Sequence, residues 1–418
     1  MPIIDEFFQL TGIRVIPTSV GVDAVQAELS LDVMAGKGEY DIALPATFDL
    51  PDLVDLKAIV PMTDFAQKYE PMGYRSNSLF SIGDSFDDEI YGFQTDGDAY
   101  VMFFNQDFLS DPKAQSDYLE QFGSPLRIPV TWAELDQQIG FFHRPEDNLF
   151  GATLFRTQGY VAWEYWVRLH AKGLWPFAPD MTPQITHADS IAALEEMIAV
   201  SQSLVPTVGT MDLFENWERF SQGNVYCNIG WGGSQKYFNR PGSKVKGKLA
   251  YAPTPGGYVN GELVRAPYFN WGWDYVVTAS STRQELAYLF CLFASTPEMS
   301  LRAVRAPDGF FDPFQPEHYK DQTVQEIYSK EFLDVHQTSM AGSIPDLYLK
   351  NQSDYFRVLG EQVFLAINGK VSAAEALKRV DRRWRLITGR AGAQSQIRRW
   401  NNLQLKYPQA TKNHLRTL

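Results

Sequence analysis

The sequence predicts an α/β fold spread over about two domains, and three observations carry that reading. Stretches with strand and helix periodicity alternate from early in the chain, which implies parallel pairing in helix-flanked sheets. Three helix starts carry Ser or Thr followed three positions later by Glu or Gln, the pattern of reciprocal N-terminal capping. The 418 residues exceed one ordinary core, since a domain takes about 150 residues. A composition of 44% hydrophobic and 21% charged residues is globular throughout.

Ile13 to Ser19 is β-rich and alternating, and Ala24 to Met34 has helical spacing before a Gly-Lys-Gly turn. Tyr40 to Leu44 reads as a buried strand with Pro45 to Phe48 on the loop after it. Open α/β sheets bind ligands beyond the carboxyl ends of their strands, which makes Pro45, Thr47 and Phe48 candidates. Tyr91 to Asn105 is extended and broken by Gly92 and Gly97. Pro129-Val-Thr131-Trp132-Ala-Glu134-Leu135 opens a helix that Thr131 caps and Glu134 reciprocates.

Tyr160 to Leu174 is an aromatic-rich helix ending near Gly173, and Ser190 to Ser201 puts Ile191, Leu194 and Ile198 on one face. Phe220 to Trp231, reading FSQGNVYCNIGW, is a helix end, a Gly turn, a short buried strand and an aromatic where that strand stops. Such a Trp offers a flat apolar face with one polar edge, suited to the C–H face of a sugar ring or polyol. Asn270 to Val277 is a strand feeding a helix capped around Ser281 with Gln284 three residues on, buried through Leu286, Leu289, Phe290 and Phe293. Ser372 and Glu375 form the third box, ahead of Leu377, Val380, Trp384 and Ile387.

A formal charge of −13 argues against a nucleic-acid binder. The charge is uneven: from Lys378 onward eleven Lys or Arg face the single acid Asp381, while residues 1–377 hold 26 basic and 49 acidic residues. The basic tail either lies on an acidic lobe of its own chain or meets a partner or membrane surface. Cys227 and Cys291 sit in apolar runs without metal or redox spacing and read as buried free thiols. No run reaches the roughly 18 apolar residues of a membrane span, and no signal-peptide pattern opens the chain. Gly83-Asp84-Ser85-Phe86 resembles a GDS hydrolase block. None of the six histidines has Asp three residues before it, so the serine would lack its base. GxSxG, P-loop, GxGxxG and HExxH patterns are missing from the sequence.

Taken in order, the opening Phe7 to Val15, Tyr91 to Asn105, the Pro129 box, Phe220 to Trp231 with Pro241 to Lys248 and Ala252-Pro-Thr-Pro-Gly-Gly, Asn270 to Val277 and Val371 to Leu377 resemble ABC-transporter extracellular solute-binding protein family 1, the maltose-binding-protein-like sugar and polyol binders. The resemblance runs from about Phe7 to Ile387. It implies the two-lobed type II periplasmic-binding-protein fold, each lobe a mixed sheet flanked by helices, the lobes joined by hinge crossovers. The expected division is 1–97 plus 255–305 for lobe 1, 98–254 plus 306–370 for lobe 2, and 371–418 as a C-terminal helix and basic extension. It further implies that the family's signal, first strand and most of its first helix would stand before Met1.

Site residues follow by position. Trp231 falls where similar proteins place a Trp beneath the ligand, with core packing as the alternative. Asp98 matches a common hydroxyl contact, since a carboxylate accepts two or more hydrogen bonds from vicinal hydroxyls. Asp96 shares its strand face and otherwise caps the hinge. Trp273 and Trp271 share one face of their strand with Asp274 on the other, Trp273 the stronger candidate for the ligand and the Asp a departure from the family's small residues. Tyr160 and Trp163 match an aromatic loop and helix start, Thr47 and Phe48 a strand-end loop, and Tyr348 and Tyr355 a late aromatic position. Arg305, near Asp308, either meets a charged ligand or makes a salt bridge.

The implied function is non-enzymatic: a monomer in the periplasm, or extracellular and membrane-associated, whose lobes close on a neutral sugar, polyol or small glycoside and deliver it to ABC permease transmembrane subunits. No cofactor or metal and no nucleic acid is expected. A carbohydrate hydrolase using acids such as Asp96 and Asp98, or a receptor-linked sugar sensor, are the alternatives.

Overall fold

The computed structural model describes residues 2–417. The chain divides into two compact units. The first comprises residues 1–98, 270–327 and 345–353, the second residues 99–269, 328–344 and 354–418. The expected lobe limits differ from this division at residue 98, at 255–269, at 306–327 and at 345–353. Residues 255–269 belong to the second unit because Ala99 bridges Phe269 and the Tyr100 N–H donates to the Tyr268 carbonyl. Residues 306–327 stay with the first, where the Leu79 N–H donates to the Phe314 carbonyl and Arg305 pairs with Asp321. The 371–418 extension is part of the second unit.

In the first unit the strand Asp274–Val277 lies between Ile42–Ala43 and Phe93–Gln94, antiparallel to both. Its alternation buries both faces. Val276 packs with Leu29, Leu50, Leu53 and Ile59, and Val277 with Met62, Phe93, Tyr288 and Cys291. The parallel pairing expected of Ile13–Ser19 and Tyr40–Leu44 does not form. Ile42 and Ala43 take their hydrogen bonds from the distant Asp274–Val277, and residues 13–19 form no ladder. The alternation there serves another contact, with Ile13 and Val15 half-buried against Phe7, Phe290 and Ala294. The Val25–Ala35 helix ends on Gly36 at φ 63°, the left-handed cap its turn requires.

The helix Gln284–Ala294 starts two residues later than a Ser281 N-cap implies. Its N-cap is Arg283, whose N–H donates to Ser281 Oγ at 3.0 Å while the Ser281 hydroxyl donates to Asp41 Oδ1 at 2.6 Å.

The second unit has a four-stranded sheet in the order Phe150–Ala152, Val225–Gly230, Val101–Asn105, Leu249–Pro253. Only the first pair is parallel. Every residue of Val101–Asn105 and Val225–Gly230 is buried, as expected for strands covered on both faces. The helix Trp132–Phe142 carries both hydrogen bonds of the Thr131/Glu134 box. Ser372 Oγ accepts from the Glu375 N–H at the start of Ala373–Arg390. That helix and the following Ala393–Lys406 dock through Trp384 and Trp400 onto Phe177 and Trp175. Both cysteines are free and buried.

Candidate functional site

In the second unit the buried strand Val225–Gly230 delivers Trp231 to the start of the Gly232–Phe238 helix. The Trp231 N–H donates to Ser234 Oγ at 3.0 Å, fixing the turn. Five rings gather there. Trp231 lies 5.1 Å from Tyr100, 5.8 Å from Phe155 and 6.0 Å from Trp163, centroid to centroid. Tyr160 stacks on Phe155 at 5.1 Å and meets Trp163 edge-on at 5.0 Å. The structure therefore brings Trp231, Tyr160 and Trp163 together, and adds Tyr100 and Phe155, which the sequence did not single out. Tyr160 and Trp163 are the more open at 9% and 7% exposure, against 3% for Trp231.

A buried ionic network underlies this cluster. Glu164, on the Val161–Ala171 helix, accepts from Arg156 Nη1 at 2.6 Å and Arg168 Nε at 2.9 Å. Arg168 also grips Asp136 through both Nη atoms at 2.7 and 2.6 Å and lies 4.2 Å from the Trp132 ring centroid. Burial alone would raise the Glu164 pKa. The charges of Arg156 and Arg168 outweigh burial and hold it below the usual carboxylate value. The network fixes the helix whose first turn presents Tyr160 and Trp163.

In the first unit the loops after Ile42–Ala43 and before Asp274–Val277 run side by side. Ala46 bridges Trp273 and the Thr47 N–H donates to the Gly272 carbonyl at 2.8 Å. Thr47 Oγ1 lies 3.2 Å from Tyr348 Oη, Phe48 is 6.4 Å from Trp271, and Trp271 stacks on Trp273 at 6.1 Å. The Trp273 side chain hydrogen-bonds Asp98, as does Asp312. Asp96 Oδ1 accepts from the Gly97 and Asp312 N–H groups at 2.7 Å each. Burial first, then the charges of Asp96 and Asp312, hold Asp98 well above the usual carboxylate range.

Asp96, Asp98 and Asp312 are the one group of three metal-type side chains found close together among the described residues, with ligand atoms within 4.8 Å. The two backbone N–H groups that reach Asp96 supply donors within this group. Asp312 is the member the sequence argument missed, since nothing local to it signals a partner 216 positions away.

Other expected positions lie elsewhere. Asp274 occupies the face opposite Trp273, as alternation requires, but points inward beside Asp84 and Arg75. Its carboxylate oxygens are buried without a hydrogen-bond partner. Tyr355 belongs to the interior of the second unit. It packs on Phe177 and Trp384, and its hydroxyl lies 2.7 Å from Thr388 Oγ1. Arg305 spends its charge on Asp321 within the first unit. Tyr355 and Arg305 have partners within their own units that account for them.

Comparison with solved structures fixes the architecture. The chain is similar to maltose-bound MalE3 of T. maritima (TM-score 0.76, 16% identity, 92% of this chain and 95% of that one). A solute-binding protein of Agrobacterium radiobacter K84 in complex with ribitol gives a TM-score of 0.77 at 16% identity over 91% and 93% of the two chains. One from Agrobacterium vitis S4 with bound D-mannitol gives 0.76 at 16% over 94% and 95%. At this identity the likeness establishes the fold, the maltose-binding-protein type. A profile described as bacterial extracellular solute-binding protein matches residues 2–327.

Proposed function

Because the chain belongs to the family of bacterial extracellular solute-binding proteins, we propose that it captures a neutral sugar, polyol or small glycoside and delivers it to the permease of an ABC importer. It acts outside the cytoplasm, in the periplasm or at the cell surface, and leaves its ligand chemically unchanged. The observation that carries this reading is the ring cluster around Trp231, in which Tyr160 and Trp163 meet at right angles. Perpendicular aromatic faces suit a ring or chain that is apolar on its C–H side and polar at its edges. Structurally similar proteins hold maltose, ribitol and D-mannitol.

In the first unit Asp98, with Trp273 beside it, is the assigned acceptor for hydroxyls. Buried polar groups of this kind give specificity, because a ligand lacking the matching hydroxyl leaves them unpaired. Thr47, Phe48, Trp271 and Asp96 are assigned supporting roles. A hydrolase reading is disfavoured by the acids themselves. Asp98 and Asp312 share a hydrogen bond, whereas glycosidase carboxylates stand about 5–9.5 Å apart to flank a bond.

A thermal-shift screen of sugars and polyols tests the proposal, since a ligand specific for the folded state raises apparent stability. The hit should be recovered unchanged after incubation. Trp163→Ala and Tyr160→Ala should each lower its affinity at least about tenfold, a loss of about 1.4 kcal/mol. A full shift retained in both variants removes the aromatic cluster from the site, and recovery of a cleaved product overturns the transport reading.

A further inference from the structure

The two units differ sharply in charge. The first holds 27 acidic and 10 basic residues, the second 23 and 27, so net charges of −17 and +4 stand behind the overall −13. The excess of cations in the second unit lies on its last two long helices. Along Ala373–Arg390 the buried positions are Ala373, Ala376, Leu377, Val380, Trp384 and Thr388. The exposed positions Lys378, Arg382, Arg385, Leu386 and Arg390 recur at spacings of three and four on the other side. On Ala393–Lys406, Trp400 and Leu403 face inward while Arg398, Leu405 and Lys406 face solvent.

Arg390, Arg398 and Lys406 make no ion pair among the described residues. Other cations of the tail pair with acids of their own second unit, not with the acidic first one. Arg383 pairs with Glu361 and Arg416 with Asp189. Within the stripe Arg382 and Arg385 pair with Glu375 and Asp381 of the same helix, which leaves Arg390, Arg398 and Lys406 as its uncompensated cations. Leu386 and Leu405 stand among these cations at 59% and 74% exposure.

We infer that this helix pair is a docking surface for a membrane rich in anionic lipid headgroups. Unpaired cations interspersed with exposed leucines match an interface that is negatively charged at headgroup level and apolar just beneath. The charge division supports the same occupant. An acidic chain as a whole is repelled by an anionic membrane, so attachment requires the basic residues to be gathered in one place, as they are here. The site uses none of the residues assigned to solute binding.

Vesicle flotation of the full chain tests the inference. At about 50 mM NaCl it should bind vesicles of mixed phosphatidylglycerol and phosphatidylcholine at least about tenfold more than phosphatidylcholine alone, and about 500 mM NaCl should release it. Arg390→Glu/Arg398→Glu should lose at least about tenfold in vesicle binding. Lys244→Glu/Lys246→Glu, the same charge change on an exposed loop of the same unit, should bind nearly as the parent does. Circular dichroism confirms that both variants fold. The inference is overturned if the parent ignores anionic vesicles, if both double variants lose binding equally, or if the stripe instead drives salt-sensitive self-association in sedimentation.

Discussion

Asp98 and Asp312 share a side-chain hydrogen bond in the first unit, with Asp96 beside them. Two acids this close in a buried site hold a proton between them. Asp98 therefore keeps its proton in the folded chain at pH values where the unfolded chain has released it. The folded state binds more protons across that interval, so stability falls as pH rises from about 4 upward. Asp98→Asn, uncharged at every pH, should flatten the decline of Tm between about pH 5 and 8. An unchanged slope would show that the pair does not share its proton.

A second acidic pair predicts the same sign in a narrower window. Burial, only partly opposed by Arg75, pushes the Asp84 carboxyl up to about 7, and Asp274 is raised by burial and by Asp84. Between about pH 4 and 7 a single such group contributes a slope of at most about 1.4 kcal/mol per pH unit, with stability lost as pH rises. Asp84→Asn should remove part of that slope in urea unfolding measured at pH 5, 6 and 7.

Gly92 is required by Asp274. A Cβ at residue 92 would stand 1.9 Å from Asp274 Oδ2 and 2.8 Å from its Cβ. Gly92→Ala should destabilise the chain by about 1–3 kcal/mol. Adding Asp274→Ala should return part of that loss, because the closest contact, to the carboxylate, is then removed and only the 2.8 Å approach of the two Cβ atoms remains. Strictly additive effects in the cycle would refute the contact.

Glu164→Gln removes the one charge shared by two buried arginines. Breaking a buried pair leaves uncompensated charge and costs about 3–5 kcal/mol. Urea unfolding should show that loss. A drop below about 1 kcal/mol would mean that Asp136 alone compensates both cations.

Trp384→Ala should destabilise the second unit by about 3–5 kcal/mol. Its ring stacks on Phe177 at 4.7 Å, and Nε1 donates to the Tyr355 carbonyl at 2.9 Å. A near-neutral result would identify the C-terminal helices as an appendage instead of part of that core.

Features written by neighbouring residues were legible in the sequence. The Thr131/Glu134 box, the Ser372 cap, the helix stop before Gly36 and the buried strand ending at Trp231 each follow from a few adjacent side chains. Ser281 shows where such reading stops, because its hydroxyl donates to Asp41 and accepts from Arg283, the residue before the helix. Ile13 and Val15 alternate as a strand does, yet pack on a helix cluster without a ladder.

The sequence by itself determined the α/β class, the helix starts at Thr131 and Ser372, the aromatic strand end and the uneven charge, because periodicity and composition are local or additive properties. Tertiary structure decided which strands pair and in what direction, that Tyr355 is interior, and that Asp312 joins Asp98. Those outcomes depend on contacts between residues far apart in the chain, and burial fixes them only once the units have folded.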